Sequence, residues 1–102
     1  MIAYENEVRH IQKQIEEFYQ PQEIYVFGSC AKGVARKNSD IDLCVIMETE
    51  NKRQAVRDMF LKLDYERDLD LLIYTPDEWR KYHQDKTTFA HVIFKTGVKL
   101  SG

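Results

Sequence analysis

Residues 25–47 read YVFGSCAKGVARKNSDIDLCVIM, two apolar runs separated by a polar connection. The first run, Glu23–Phe27, is rich in β-branched and aromatic residues and ends at Gly28, which predicts a strand followed by a turn. The connection predicts a short helix over Ser29–Ala35. The second run, Asp40–Met47, is almost continuously apolar, which is typical of a strand in the middle of a sheet.

Further helices and strands are predicted on both sides of this segment. Apolar residues recur every three or four positions between Tyr4 and Phe18, which indicates an amphipathic helix that faces a core. Thr75-Pro76-Asp77-Glu78 combines an N-cap, a proline at the first helical position and a capping glutamate, which predicts the start of a helix. The other predicted elements are a helix over Asn51–Leu63, a strand over Leu69–Tyr74, a helix over Thr87–Lys95 and an edge strand over Val98–Leu100.

This alternation of helices and strands predicts an α/β fold with a small mixed sheet of three to four strands flanked by helices. A length of 102 residues fits one domain, 1–102, and leaves no room for a separate acceptor-binding domain. The formal charge of −2 shows no basic surplus of the kind that tracks a nucleic-acid backbone. No apolar run is long enough to cross a bilayer, and two cysteines form no disulfide framework, so a cytoplasmic protein is expected.

Carboxylates interrupt two of the apolar strands. Asp40 and Asp42 are separated by one residue, so their side chains project from the same side of a strand, about 7 Å apart along the chain. Asp68 and Asp70 repeat this pattern on the third strand, and pairing of the two strands would bring Asp70 to face Asp40 and Asp42, so that three acids converge on one spot. Carboxylates that converge in this way repel one another unless a cation such as Mg²⁺ lies between them.

A lone Asp-x-Asp pair is more often a cap or a solvated strand face than a metal site. A third aspartate on another apolar strand favours the metal site. The glycine-serine turn before the Asp40–Asp42 pair is further support for this interpretation. Gly28 lets the backbone approach a ligand closely, and Ser29 adds a hydroxyl donor beside the N–H groups of the following helix. Lys32 would add charge for a phosphate tail, or serve only as a surface group. The turn is not a P-loop, because no Gly-Lys-Ser/Thr follows at the required spacing.

Gly28-Ser29, ten further residues and Asp40-Ile41-Asp42 form a motif that resembles the minimal nucleotidyltransferases of the DNA polymerase β-like superfamily. The resemblance extends over nearly the whole chain and includes LDLLIYTPDEWRK and the closing FAHVIFKTGVKLSG. It implies that Asp40, Asp42 and Asp70 are the catalytic, metal-binding residues for two Mg²⁺ ions, with Asp70 helping to take the acceptor's proton. It also implies that Gly28, Ser29 and Lys32 bind the nucleotide. Many relatives carry arginines where this chain has Cys30 and Lys32.

Members of this size resemble the antitoxin of toxin–antitoxin pairs in which an MNT protein uses ATP to adenylylate a tyrosine of a HEPN toxin. The resemblance therefore implies AMP transfer from ATP to a protein hydroxyl, in a homo- or hetero-oligomer, without nucleic acid or membrane. Two alternatives remain open. The chain is a non-catalytic antitoxin that masks its partner, or it modifies a small-molecule hydroxyl.

Overall fold

The computed structural model describes residues 2–102, which form a four-stranded mixed sheet flanked by helices. The strands follow the order β3-β2-β1-β4 across the sheet. β2 pairs with β1 in antiparallel and with β3 in parallel orientation, and β4 pairs antiparallel with the other side of β1. The elements are α1 Glu5–Tyr19, β1 Glu23–Phe27, α2 Gly28–Lys32, β2 Ile41–Ile46, α3 Lys52–Lys62, β3 Leu69–Tyr74, α4 Pro76–Tyr82, α5 Phe89–Thr96 and β4 Val98–Ser101.

The alternation of side chains along β2 divides the core between the two faces of the sheet. Ile41, Leu43 and Val45 pack on one face, in a cluster that contains buried residues of α1 and α3. Cys44 and Ile46 pack on the other face, in a cluster with Trp79 of α4 and the buried residues of α5. Both faces are covered, so β2 is buried over most of its length, and the predicted central position is confirmed.

The predicted elements are confirmed to within a few residues at their ends, and β4 is the predicted edge strand. The largest difference in bounds is at the end of α2, which was predicted at Ala35 and lies at Lys32. In α1, the fully buried stripe consists of Val8, Ile11 and Ile15. Helical period also includes Tyr4 and Phe18, but Tyr4 precedes the helix with a φ of 52° and is only partly buried against the core, and Phe18 is 48% exposed. No helix within residues 2–102 is both long and apolar enough to cross a membrane.

The N-terminus of α4 carries the predicted capping box. The Thr75 hydroxyl accepts a hydrogen bond from the Glu78 amide at 3.2 Å, and the Thr75 amide donates to the Glu78 carboxylate at 2.9 Å. Lys52 of α3 donates to the same carboxylate at 2.9 Å. This arrangement fixes α4 against the face of the sheet that carries Asp42 and Asp70.

Thr75→Ala removes one bond of this box and is expected to cost about 1 kcal/mol, which is about 4–8 °C in Tm. Thr96→Ala is the matched control, because the Thr96 hydroxyl is exposed and donates only to a carbonyl of its own helix. Thermal unfolding followed by circular dichroism measures both variants. Equal midpoints for the two variants would show that the box does not hold α4.

Candidate active site

The turn between β1 and α2 is pressed against a carboxylate of the neighbouring strand. Gly28 has a φ of 72°, a conformation that favours glycine. A Cβ added to Gly28 would lie 2.4 Å from Oδ2 of Asp42, so the Asp42 carboxylate occupies the space that a side chain would fill. The antiparallel register explains this contact, because Asp42 pairs with Phe27, the residue before the turn.

Asp42 and Asp70 lie side by side on neighbouring strands. The parallel register of β2 and β3 pairs them directly, and both side chains share the face of the sheet that packs against α4 and α5. Asp42 is half-buried, whereas Asp70 is exposed. Asp68, the other acid of this pattern, lies before the start of β3, where its carbonyl accepts a hydrogen bond from the Ile41 amide at 2.9 Å.

The burial of Asp42 and the acids beside it change the pKa of its carboxyl group. Burial of the carboxyl raises the pKa of Asp42 to about 6, and a hydrogen bond to Asp70 together with the charges of Asp70 and Asp40 adds to the increase. Asp68 does not contribute, so Asp70 is the acid of β3 that lies against Asp42. Within residues 2–102, no lysine or arginine forms a salt bridge with Asp40, Asp42 or Asp70.

Asp40 and Lys32 hold more peripheral positions. Asp40 is exposed, precedes β2, and acts on Asp42 only through its charge, because the residue lies outside the strand ladder that orients the other two acids. Its carbonyl accepts a hydrogen bond from the Cys30 thiol at 3.5 Å. Lys32 is the last residue of α2 and is exposed. The structure thus unites Gly28, Asp42 and Asp70 and leaves Lys32 outside this group.

Tyr4 and Arg67 hold the loop that leads to Asp40, although nothing in their sequence context pointed to this role. The Arg67 guanidinium lies 3.5 Å from the centre of the Tyr4 ring and donates a hydrogen bond to the Lys37 carbonyl at 2.8 Å. The Tyr4 hydroxyl donates to the carbonyl of Arg36 in the same loop. The side chains tie the loop of residues 33–40 to α1 and to the start of β3.

An aromatic pair borders the carboxylates and was also missed by sequence reasoning. Phe27 lies opposite Asp42 in the register, and its ring meets that of Phe89 edge-on, with 5.6 Å between the centroids. Phe89 begins α5 and is 52% exposed. The only sequence signal was the position of Phe27 directly before Gly28, so an apolar surface beside the acids becomes visible only in the structure.

With this geometry established, the comparison with known families is informative. Residues 8–97 match the model of the nucleotidyltransferase domain family. The chain belongs to this family. The match supports the polymerase β-like superfamily as a whole, and it makes the chain a nucleotidyltransferase that binds a nucleotide substrate. No curated protein matched the chain in a sequence search.

Nucleotidyltransferase domains generally work with divalent cations, and the chemistry of Asp42 and Asp70 fits such an ion. Adjacent carboxylates supply hard oxygen donors and excess negative charge, and Asp70 raises the cost of ionising Asp42. Within residues 2–102 no group of three or more His, Cys, Asp or Glu side chains is arranged to hold a metal ion. Mg²⁺ is commonly bound by one or two carboxylates, with the remaining ligands supplied by substrate phosphates and water, so two acids are sufficient.

Gly28→Ala tests the contact between the turn and Asp42. The substitution adds a left-handed alanine and a clash with the Asp42 carboxylate, and it should cost about 1–3 kcal/mol in free energy of unfolding. Gly33→Ala is the matched control, because Gly33 has the same φ of 72° and is exposed at the end of α2. Urea unfolding compares the variants. Equal losses would mean that backbone strain alone, and not the Asp42 contact, restricts position 28.

Asp42→Asn should stabilise the fold in EDTA at neutral pH. A raised pKa means that ionising Asp42 costs the folded state, so the penalty is absent below the ordinary value of 3.8, develops as the pH rises from 3.8 to about 6, and is complete above that pH. After allowance for solvent screening, the gain at pH 8 is about 1 kcal/mol, or about 4–8 °C in Tm.

Melting curves of wild type and Asp42→Asn between pH 3 and pH 8 measure this gain, and the difference between the two midpoints should grow from about pH 4 to pH 6 and stay constant above that. A difference that is the same at every pH would show that ionisation of Asp42 carries no penalty.

Proposed function

We propose that this chain is a Mg²⁺-dependent nucleotidyltransferase that moves AMP from ATP to the hydroxyl of a tyrosine on a HEPN-type protein partner, in the role of an antitoxin. The observation that carries the proposal is the Asp42–Asp70 pair, in which Asp42 lies against Gly28 and neither acid forms a salt bridge within residues 2–102. Family membership supports nucleotidyl transfer, and the motif of the minimal members supports ATP and the protein acceptor.

The proposed roles follow from position. Asp42 is oriented by the Gly28 backbone and by the strand ladder, so it would bind Mg²⁺ together with Asp70. Asp40 is exposed at the end of its loop and would complete the acidic set for two Mg²⁺ ions when the nucleotide is bound. When bound, the ions neutralise the triphosphate and lower the pKa of the attacking hydroxyl.

The other residues would hold the substrates. Gly28 and Ser29 would place backbone N–H groups and a hydroxyl beside the phosphates, and Lys32 would have to turn inward to reach them. Asp70 is the exposed member of the acidic pair, so it is the residue that would accept the proton from the incoming hydroxyl. The chain supplies mainly positioning and electrostatics, which a rigid pair of strands provides.

The openness of the site favours a large acceptor. Asp40 and Asp70 are exposed at the end of the sheet rather than enclosed, so a tyrosine on the surface of another protein has direct access. A small-molecule hydroxyl would have to be held by few contacts. This openness supports our proposal that the acceptor belongs to a partner protein, with cytoplasmic ATP as the donor.

A masking antitoxin with an idle site is the second candidate. Asp42 argues against it, because a half-buried carboxyl beside two other acids costs folding energy that an idle site has no need to spend. Melting with ATP and Mg²⁺ separates the two. A working site binds both and raises Tm with increasing ligand, whereas an idle site leaves it unchanged.

Asp42→Asn and Asp70→Asn should each lower the rate of label transfer from α-labelled ATP to a co-expressed HEPN-type partner by at least about 100-fold. Each variant removes a charge that the proposed mechanism needs at the reacting phosphate. Asp68→Asn is the matched control, because Asp68 is an aspartate two residues away that does not act on Asp42, and it should keep its rate within a few-fold.

Mass spectrometry of the partner should show a gain of one AMP on a tyrosine. Retention of most of the wild-type rate by Asp42→Asn would refute the mechanism. Label found only on small hydroxyl compounds would refute the acceptor, and a partner that co-purifies without label would support masking.

A further inference from the structure

A groove of about 490 Å³ runs along the open side of β3, away from β2. We call it the edge groove. It lies between the edge of the sheet and α3, and its lining residues Val56 and Leu71 are partly buried against the core. The residues that line it are Lys52, Arg53, Val56, Arg57 and Phe60 of α3 and Leu71, Leu72 and Ile73 of β3.

The backbone of β3 offers unused hydrogen-bonding groups to this groove. The carbonyls of Asp68 and Tyr74 accept bonds from the Ile41 and Met47 amides on the β2 side. Because the bonds to one neighbour involve every second residue of a strand, the N–H and C=O groups of Leu71 and Ile73 point to the open side. No strand of residues 2–102 pairs there, since β3 ends the sheet.

The edge also lacks the features that usually protect one. Exposed edge strands normally carry lysines, prolines or bulges that discourage pairing with another chain. Residues 71–74 read Leu-Leu-Ile-Tyr and contain none of these, and β3 keeps a regular register with β2 throughout. The apolar surface continues onto α3, where Phe60 is partly exposed and Leu61 is 87% exposed. Such an edge favours the addition of a strand from elsewhere.

The charges around the groove define what it would accept. Lys52, Arg53 and Arg57 line it, and none of the lining residues is acidic. Lys52 is paired with Glu78, but Arg53 and Arg57 form no salt bridge with any side chain of residues 2–102. If a second copy of the chain paired edge to edge, the arginines of both copies would meet, and like charges at an interface are unfavourable.

We infer that the edge groove binds an extended segment of a partner protein in which every second side chain faces α3 and this face carries both acidic and apolar residues. The segment adds to β3 as a fifth strand, with its backbone bonded to Leu71 and Ile73. Because side chains alternate between the two faces of a strand, the face toward α3 supplies both the apolar side chains that pack against Val56 and Phe60 and the carboxylates that reach Arg53 and Arg57. The groove begins one residue after Asp70, so the bound segment passes beside the candidate active site. Binding itself requires neither nucleotide nor metal.

The test uses the whole chain and the synthetic peptide Thr-Glu-Thr-Val-Thr-Glu-Thr-Val-Thr, in which glutamate and valine share one face of the strand, in EDTA and without nucleotide. Hydrogen exchange followed by NMR should show that the peptide protects the Leu71 and Ile73 amides, while the other edge strand, β4, is unaffected. The same peptide with alternate backbone nitrogens methylated should not bind, because it cannot donate to the edge. The lysine counterpart of the peptide should not bind either.

Arg53→Glu combined with Arg57→Glu should weaken binding of the acidic peptide by roughly tenfold or more. Lys13→Glu combined with Lys95→Glu is the matched control, because both lysines are exposed on other helices and the net charge changes equally. The control pair should leave the affinity within about twofold of wild type.

Each of four results would overturn the inference: no binding of the acidic peptide, equal binding of the lysine or methylated peptide, protection confined to other amides, or equal weakening by both double variants. Protection of Leu71 and Ile73 in a dimer without peptide would instead assign the groove to a second copy. An active enzyme that fails to bind the peptide would refute this inference alone. A chain that binds the peptide but transfers no nucleotide would refute only the proposed function.

Discussion

The parallel pairing of β2 with β3 is the constraint on which the rest of the structure depends. The register of the two strands places Asp42 directly beside Asp70. A slip of β3 by one residue would turn Asp70 to the opposite face of the sheet, where Leu71 and Ile73 now pack against the core under α1 and α3. The register is held by that apolar face, because Ile41, Leu43 and Val45 are fully buried. The acidic pair is therefore positioned by the hydrophobic core behind it and not by interactions of its own.

This dependence has a consequence for stability. The carboxylates repel one another, and Asp42 is partly removed from water, so the site opposes the fold that carries it. The Gly28 turn adds a second restriction, because the carboxylate leaves no room for a Cβ. A domain of this size has a free energy of unfolding of only several kcal/mol. Burial of the aliphatic residues of β1 and β2 must therefore stabilise the fold by more than the site destabilises it. Strain of this kind, concentrated where charge must be bound, is typical of a functional site rather than of a structural one.

Much of this was predictable from the sequence, because strands impose a period of two. The alternation in Asp40–Met47 and Leu69–Tyr74 is sufficient to place Asp42 and Asp70 on one face, and the glycine at 28 marks the turn. The position of Asp40 was less predictable, because Asp40 lies before the start of β2. The conformation of the preceding loop, and not the alternation of the strand, determines where its side chain points. The contact between Tyr4 and Arg67 was not predictable, because it joins residues 63 positions apart. Periodicity predicts only whether each side chain faces the core or the surface, and not which distant residue it contacts.

The location of β3 at the end of the sheet was likewise beyond sequence reasoning, although it has wide consequences. A parallel neighbour of β2 must be reached by a crossover, and α3 provides it, covering one face of β3 but not its outer edge. The same strand thus carries Asp70 on the face toward α4 and free backbone groups on its edge. An acceptor that pairs with this edge would be aligned along the strand that holds the exposed carboxylate. The positioning of the substrate and the chemistry would then both depend on β3. This fits a small domain in which a single sheet forms the core and also carries the site.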